Sequence, residues 1–129
     1  MILIDTSVWV ATFRRSDPLA LSDVCDLDDV ATCLPVVQEV LQGFAEERAY
    51  RLARDAMYAL PMVESPLGSA VYDAAIDLFR AARKARHPVR SSVDCLIAAC
   101  ALRHDLEVLH RDRDFVSLAA VSGLRQRPV

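Results

Sequence analysis

The chain has 129 residues, of which 53% are hydrophobic, and its 18 acidic and 15 basic residues give a net charge of −3 at neutral pH. This length and hydrophobic content favour one domain with its own core, over residues 1–129, and exclude a disordered chain. The mild acidity argues against duplex binding driven by bulk charge. The first apolar run is short and contains Asp5, and no run approaches the roughly 20 apolar residues of a membrane span. A cytoplasmic protein without a membrane segment is therefore predicted.

The first half of the chain predicts short strands, each followed by helices. The strands are Met1–Ile4, Ala31–Leu34 and Leu60–Val63, the last near Pro61, which favours a sheet edge. The predicted helices cover Ser7–Arg14 (with Thr6 or Ser7 as its cap), Leu19–Leu27, Val36–Glu47 and Arg48–Ala59.

The second half continues the alternation. A long amphipathic helix is predicted over Ser69–Arg86, and Pro88 ends it. Another helix begins at Ser91, followed by a strand over Glu107–His110. A short helix at 115–120 and an edge strand at 124–129 complete the pattern. Strands that alternate with helices predict an α/β fold with a mostly parallel central sheet.

Basic and acidic residues are unevenly distributed. Residues 1–64 carry 11 acidic and 5 basic residues, whereas residues 65–129 carry 7 acidic and 10 basic ones. Arginine suits bidentate contact with phosphate, so a basic cluster ahead of Asp94 is either a solvated helix face or a phosphate-contacting surface. This cluster comprises Arg80, Arg83, Lys84, Arg86, His87 and Arg90.

Acidic residues stand at the edges of the predicted apolar elements. Asp5 directly follows the first strand, and Asp112 and Asp114 follow a later one. Glu39 and Asp94 lie in the first turns of two helices. In open parallel sheets the ligand site lies off the carboxyl ends of the strands. We therefore expect these five carboxylates to face one crevice.

Carboxylates gathered in a crevice need protons or a cation to offset their repulsion. Two of them about 4 Å apart repel by about 4 kcal/mol at an effective dielectric of 20. Oxygen ligands without His or Cys select Mg²⁺ or Mn²⁺ over zinc. The acids therefore predict a divalent-cation site, and metal-assisted phosphodiester hydrolysis is its natural chemistry.

Each acid also has a purely structural interpretation. Asp5 could cap the first helix, and Glu39 could be a surface residue. Asp94 could complete a capping box with Ser91. Asp112 and Asp114 could form a charged turn. The four cysteines show no zinc spacing and are either small core hydrophobes or redox groups. Three aromatic side chains are either packing or base-stacking groups: Trp9, Phe13 and Phe115.

Four motifs resemble the PIN-domain ribonucleases, and within them the VapC-type toxins of toxin–antitoxin pairs. They are Ile2-Leu3-Ile4-Asp5-Thr6-Ser7-Val8-Trp9, Gln38-Glu39-Val40, Ser92-Val93-Asp94-Cys95-Leu96-Ile97-Ala98-Ala99 and Leu109-His110-Arg111-Asp112-Arg113-Asp114-Phe115. The resemblance covers nearly the whole chain. It implies a PIN-like three-layer α/β/α sandwich and an endoribonuclease that uses Mg²⁺ (or Mn²⁺).

The resemblance also implies roles for the acids. The expected catalytic group is Asp5, Glu39, Asp94, Asp112 and Asp114. The expected metal ligands are Asp5, Asp94, Asp112 and Asp114, with the choice between the last two as direct ligand left open. Thr6 or Ser7 is expected to hydrogen-bond a ligand acid or water.

Partners are implied in the same way. The family resemblance implies a cognate VapB-like antitoxin whose tail fills the active-site groove, often with an arginine among the acids, and a homodimer. The expected substrate is structured RNA (tRNA or rRNA), whose cleavage inhibits translation. Candidate phosphate contacts lie within residues 80–90 and at Arg111 and Arg113.

Two other function classes remain open. A catalytically silent RNA- or protein-binding domain would have the same fold. A phospho-acceptor signalling module also places acids around Mg²⁺ on a parallel sheet, but Asp5 has no acidic neighbour and the only lysine, Lys84, lies in a predicted helix.

Overall fold

A central sheet of five short parallel strands organises the molecule. The computed structural model describes all residues, 1–129. The sheet has the order β3-β2-β1-β4-β5 and every neighbouring pair is parallel, with Leu3 opposite both Ala31 and Val108. The mostly parallel sheet predicted above is therefore confirmed. The strands are β1 (Ile2–Ile4), β2 (Val30–Cys33), β3 (Met62–Val63), β4 (Glu107–His110) and β5 (Gln126–Pro128).

Six helices cover the sheet. Consecutive residues of a strand point to opposite faces, and Leu3 and Ile4 in β1 are both fully buried, as are Val108 and Leu109 in β4. Both faces of the sheet are therefore covered, which makes the fold a three-layer α/β/α sandwich. The helices are α1 (Thr6–Phe13), α2 (Leu34–Gln42), α3 (Glu47–Tyr58), α4 (Ser69–Lys84), α5 (Ser92–Arg103) and α6 (Asp114–Ala120).

Several predicted helix bounds differ from the observed ones, and two helix ends and one whole predicted helix were wrong for a clear local reason. Helix α1 begins at Thr6, because the side chain of Asp5 caps it instead of Thr6 or Ser7. Helix α2 ends at Gln42 instead of Glu47, because Gly43 is its C-cap and Glu46 caps the next helix.

The third wrong prediction is the helix over 19–27. Only two 3₁₀ turns form there, Leu21–Asp23 and Leu27–Asp29. The side chain of Asp26 accepts a hydrogen bond from the N–H of Asp28, which favours a turn over a helix. Leu27 is 53% exposed, so this segment lacks the buried apolar stripe that stabilises a short helix.

The core contains 30 buried residues and extends to elements from both halves of the chain. Helix α5 is its centre, with small buried residues such as Ala98, Ala99 and Ala101 that allow close packing. Cys33, Cys95 and Cys100 are buried, Cys25 is half-buried and none is paired, as expected for core cysteines. None of the helices combines the length and the apolar character that a membrane crossing requires.

Candidate active site

The carboxyl ends of β1 and β4 lie side by side at one edge of the sheet, and they position the first residues of the site. These strands are hydrogen-bonded neighbours, and the pairing continues one residue further, where the N–H of Asp5 donates to the carbonyl oxygen of Leu109 at 2.9 Å. Asp5 thus leaves β1 beside the loop that leads from β4 to Asp112. The first turn of α5 brings Asp94 to the same edge, and Asp114 opens α6.

Three of the acids form a tight group. One carboxylate oxygen from each of Asp94, Asp112 and Asp114 lies within 4.8 Å of the others. Asp94 and Asp114 are buried, whereas Asp112 is half-buried and opens the group to solvent. These three carboxylates therefore lie close together, as was predicted for acids that face one crevice.

Asp5 borders this group. Its Oδ2 accepts hydrogen bonds from the N–H and the hydroxyl of Ser7, so one oxygen is committed to the start of α1. The other oxygen, Oδ1, is buried and has no hydrogen-bond partner. Burial raises the pKa of Asp5; the hydrogen bonds from Ser7 oppose this effect, and the charge of Asp112 adds to it.

Asp94 is the most perturbed group of the site. Burial, followed by the negative charges of Asp5 and Asp112, raises its pKa to about 9. Its Oδ2 is buried without a partner. A carboxyl group in this position is neutral at pH 7 unless a cation joins it, because isolated buried charge is costly.

The capping box predicted for Asp94 is only half formed. The hydroxyl oxygen of Ser91 accepts a weak hydrogen bond from the N–H of Asp94 at 3.4 Å. The return bond comes from another element: Oδ2 of Asp114 accepts the N–H groups of Arg90 at 3.0 Å and Ser91 at 3.3 Å. The guanidinium of Arg90 also lies 3.8 Å from Oδ1 of Asp114. The Asp94 carboxyl group is therefore not needed for the cap.

Asp112 keeps one oxygen without an assigned structural role. Its Oδ1 accepts the N–H of Asp114 at 3.0 Å, which fixes the turn into α6. No hydrogen bond from a backbone or basic group reaches Oδ2. Asp112 and Asp114 thus differ: the carboxylate of Asp114 binds two backbone N–H groups and Arg90, and that of Asp112 faces the opening.

Glu39 does not join the tight group. It is half-buried on α2, and its Oε1 accepts a hydrogen bond from the hydroxyl of Thr6 at 2.8 Å. Together with the bond between Ser7 and Asp5, this contact bears out the prediction that Thr6 or Ser7 hydrogen-bonds an acid. Thr6 joins Glu39 to the start of α1, next to Asp5.

Two polar residues that support the site received no role from the sequence. Nδ1 of the buried His110 accepts the N–H of Asp112 at 3.1 Å, and its Nε2 lies 2.6 Å from Oε1 of Gln126 on β5. Both bonds are satisfied by the tautomer that is protonated on Nε2. His110 belongs to the motif around Asp112, so the sequence could have indicated its role in the site. No sequence motif includes Gln126, so its role could not have been predicted.

The aromatic residues pack as predicted for core groups. Phe115 is fully buried with its ring centroid 5.2 Å from that of His110. Trp9 stacks on Phe13, which in turn meets Phe44 edge to face. Arg111 and Arg113 are exposed beside the site, and the Arg111 N–H donates to the hydroxyl of Ser7.

The donor set fits a hard divalent cation. All ligands available at the opening are carboxylate or hydroxyl oxygens, which suit Mg²⁺ or Mn²⁺. Buried Oδ1 of Asp5 and Oδ2 of Asp94 lack any partner, and a cation would satisfy both while offsetting the repulsion that raises the pKa of Asp94. The residues therefore fit a metal site.

Comparison with known proteins gives consistent results. The family model of the PIN domain matches residues 2–121. Ribonuclease VapC11 of Mycobacterium tuberculosis is 37% identical over 131 aligned positions, which cover 97% of this chain and 96% of that protein. Ribonuclease VapC51 of the same species is 32% identical, with coverage of 94% and 87%.

Solved structures with the same fold share little sequence. The chain superposes on DNA-bound VapBC from Salmonella typhimurium with a TM-score of 0.77 at 16% identity, covering 99% of this chain and 98% of that one. For VapBC-5 from Mycobacterium tuberculosis the TM-score is 0.73 at 20% identity, with the same coverage. These two structures support the fold.

Proposed function

Because the chain belongs to the PIN-domain family, with VapC ribonucleases as relatives, we propose that it is a metal-dependent endoribonuclease toxin. Its substrate in this proposal is structured RNA, tRNA or rRNA, whose cleavage inhibits translation. Residues 1–129 act as one PIN-like nuclease domain, since a single core links both halves of the chain. The free cysteines suit the reducing cytoplasm.

The observation that carries this proposal is the crevice of carboxylates with two unpartnered oxygens. Asp94, Asp112 and Asp114 lie within 4.8 Å of one another, and Asp5 borders them. The repulsion between these carboxylates does not stabilise the fold, because buried unpaired charges are destabilising. A cation-dependent reaction on a phosphodiester does require clustered carboxylates, because they bind the cation.

In this mechanism Asp5, Asp94 and Asp112 would hold the cation. When bound, Mg²⁺ or Mn²⁺ activates water for attack and stabilises the charge that develops on the phosphate. Ser7 fixes the orientation of the Asp5 carboxylate through Oδ2, which leaves the buried Oδ1 free to bind the cation. Glu39, oriented by Thr6, lies at the edge of the crevice, where it can accept a proton from the attacking water.

Asp112 is our choice as direct ligand over Asp114. The carboxylate of Asp114 accepts two backbone N–H bonds and lies near Arg90, so its role is to position the start of α5. Asp112 keeps Oδ2 available at the opening. Asp114 then belongs to the catalytic group through its effect on Asp94 and on the turn that carries Asp112.

The proposal includes a protein partner. The structures of VapBC assemblies that share this fold support a VapB-like antitoxin as the inhibitor. A guanidinium from such a partner suits the crevice, because charge-assisted hydrogen bonds with carboxylates replace the cation. A homodimer within the complex remains a prediction, which light scattering of the purified protein tests.

Cleavage of RNA by purified protein tests the function. Wild-type protein is incubated with total RNA and Mg²⁺ or Mn²⁺, beside Asp5→Asn and Asp94→Asn variants and an Asp55→Asn control on the exposed face of α3. We expect cleavage by wild type and control, and its loss in both site variants and in EDTA. Equal cleavage by the site variants would place the active site elsewhere. Absence of cleavage with every RNA tried, including tRNA and rRNA, would favour a silent binding domain.

A further inference from the structure

A cluster of basic side chains lies at and after the carboxyl end of α4, and only its last member, Arg90, contacts the site described above. We define the basic track as Arg80, Arg83, Lys84, Arg86 and Arg90, all of which are exposed. Among the ion pairs of the molecule, only that of Arg90 with Asp114 involves the track. Four cationic side chains therefore project into solvent without a carboxylate partner.

Three of these side chains face one depression on the surface. Arg80, Arg83 and Lys84 line it together with Asp77 and Ala81, and its volume is about 430 Å³. Their spacing of three and four residues places them on one side of the helix. Asp77 is the single acid of the depression and forms no ion pair with them, so the local charge is positive.

Arg86 extends the track into the loop after α4. Its φ of 61° lies in the left-handed region that favours glycine, and the N–H of the next residue, His87, donates to the carbonyl oxygen of Ala82 at 2.9 Å. Glycine is the usual residue at this position of a helix end. The helix dipole favours cations at Arg83 and Lys84 in the last turn, but the backbone gives no reason for arginine at 86.

Two residues of the track adjoin elements of the active site. At its near end, the backbone N–H of Arg90 binds Asp114, and Ser91 follows as the cap of α5. Arg80 borders a groove of about 360 Å³ that is also lined by Ser92 and Cys95, the latter next to Asp94. Arg90 and Arg80 thus each lie next to residues that adjoin Asp94, with a mostly apolar groove beside Arg80.

We propose that the basic track binds the phosphate backbone of a single-stranded RNA segment that flanks the cleaved bond. This inference rests on the proposed function, and it assigns the path by which the substrate leaves the crevice. An acidic crevice repels a polyanion, so cations next to it are needed to hold the flanking phosphates. Backbone contacts of this kind position the strand without reading its sequence.

Binding without cleavage tests the track. The full chain is titrated in EDTA into a fluorescein-labelled 20-nucleotide single-stranded RNA, and anisotropy gives Kd between 50 and 200 mM KCl. The track variant combines Arg83→Ala, Lys84→Ala and Arg86→Gly; the control combines Arg15→Ala, Arg48→Ala and Arg54→Ala, which changes the net charge equally. Thermal melting checks that both variants fold.

We expect the track variant to lose at least about tenfold in affinity at 100 mM KCl. Its slope of log K against log salt should fall by about 2, because each phosphate contact on a single strand contributes about 0.7. The control should stay within about twofold of wild type. An unchanged slope in the track variant, or an equal loss in the control, overturns the proposal. So does binding of a 20-residue polyglutamate as tight as that of RNA, which would assign the track to an acidic protein partner.

Cleavage in Mg²⁺ separates this proposal from the proposed function. The track variant should keep kcat at saturating RNA and raise KM, whereas Asp94→Asn should lose kcat. If wild type cleaves RNA and the track variant has an unchanged KM, the track fails and the nuclease stands. If wild type binds RNA through the track and cleaves none, the nuclease fails and the track stands only as an RNA-binding surface.

Discussion

Asp114 completes the amino-terminal cap of the helix that carries Asp94, since its Oδ2 accepts the N–H of Ser91 at 3.3 Å. The carboxylate that supplies the second bond of this cap is thus 23 positions from Ser91 in sequence and belongs to α6. The Asp94 side chain is released from capping and faces the crevice. One carboxylate holds the helix, which leaves the other free for the proposed chemistry.

This relationship predicts different effects for two neighbouring acids. Asp114→Ala leaves two backbone N–H groups without their partner and should reduce the free energy of unfolding by about 2 kcal/mol. Asp112→Ala, the matched variant, should change stability by less than about 1 kcal/mol but abolish the rise in Tm on adding Mg²⁺. Chemical denaturation and thermal melts measure both. A larger loss of stability in Asp112→Ala would reverse our assignment of roles.

The stability of the metal-free protein should depend on pH through Asp94. Its pKa rises from 3.8 when unfolded to about 9 in the folded state. The folded protein thus binds this proton more tightly, so its contribution to stability is complete below about pH 4 and is lost as pH rises toward 9.

In EDTA we therefore expect Tm to fall over this pH range more steeply for wild type than for Asp94→Asn. Melting curves from pH 4 to 9 provide the measurement, with Asp55→Asn as the control that should follow wild type. Parallel curves for wild type and Asp94→Asn would contradict the assigned cause.

Divalent cations should stabilise the wild-type fold. A ligand at 100 times its Kd stabilises by about 2.7 kcal/mol, so Mg²⁺ or Mn²⁺ should raise Tm in a saturable way. The effect should grow from pH 6 to 8, because protons compete for the same carboxylates. Asp5→Asn and Asp94→Asn should lose most of the shift. A shift of equal size in both variants would show that the ion binds elsewhere.

Thr6 should matter through Glu39. Thr6→Val keeps the shape and removes the hydroxyl that donates to Oε1 of Glu39 at 2.8 Å. We expect kcat to fall by about 10-fold, which corresponds to about 1.4 kcal/mol, with little change in KM. Thr6→Ser restores the donor and should recover most of the rate. Equal rates in Thr6→Val and wild type would remove Glu39 from the mechanism or make its orientation unimportant.

The bond between His110 and Gln126 should be structural. Gln126→Leu leaves the Nε2–H of a fully buried ring without an acceptor, which should cost about 1–3 kcal/mol of stability. Gln126→Glu keeps an acceptor and should cost less. Urea unfolding compares the two variants. If they are equally stable, His110 finds another acceptor or water reaches the ring.

The fold was largely predictable because its pattern is local. Short apolar runs alternate with helical periodicity, and β4 over Glu107–His110 was predicted to the residue. The wrong boundaries depended on single side chains: whether Asp5 or Thr6 caps α1, and whether Glu46 continues α2 or caps α3. Propensity does not decide such competition between neighbouring polar groups.

The site was predictable in composition and less so in arrangement. Acids at strand ends indicated the crevice, and three of them do meet within 4.8 Å. The exchange of capping partners between Asp94 and Asp114 was not predictable, because it depends on how α6 packs beside α5. The same holds for the support that Gln126 gives to His110, which requires the pairing of β5 with β4.

The close contact between the two ends of the chain affects when activity can arise. Asp5 bonds to Leu109, and Ser7 bonds to Arg111, across more than 100 positions. During synthesis, Asp5, Glu39 and Asp94 leave the ribosome before the strand that orients the first of them. A chain that stops at residue 106 should show neither cleavage nor a Tm shift with Mg²⁺. We therefore expect the nascent protein to be unable to cut RNA until these late residues have been synthesised and have paired with the first strand.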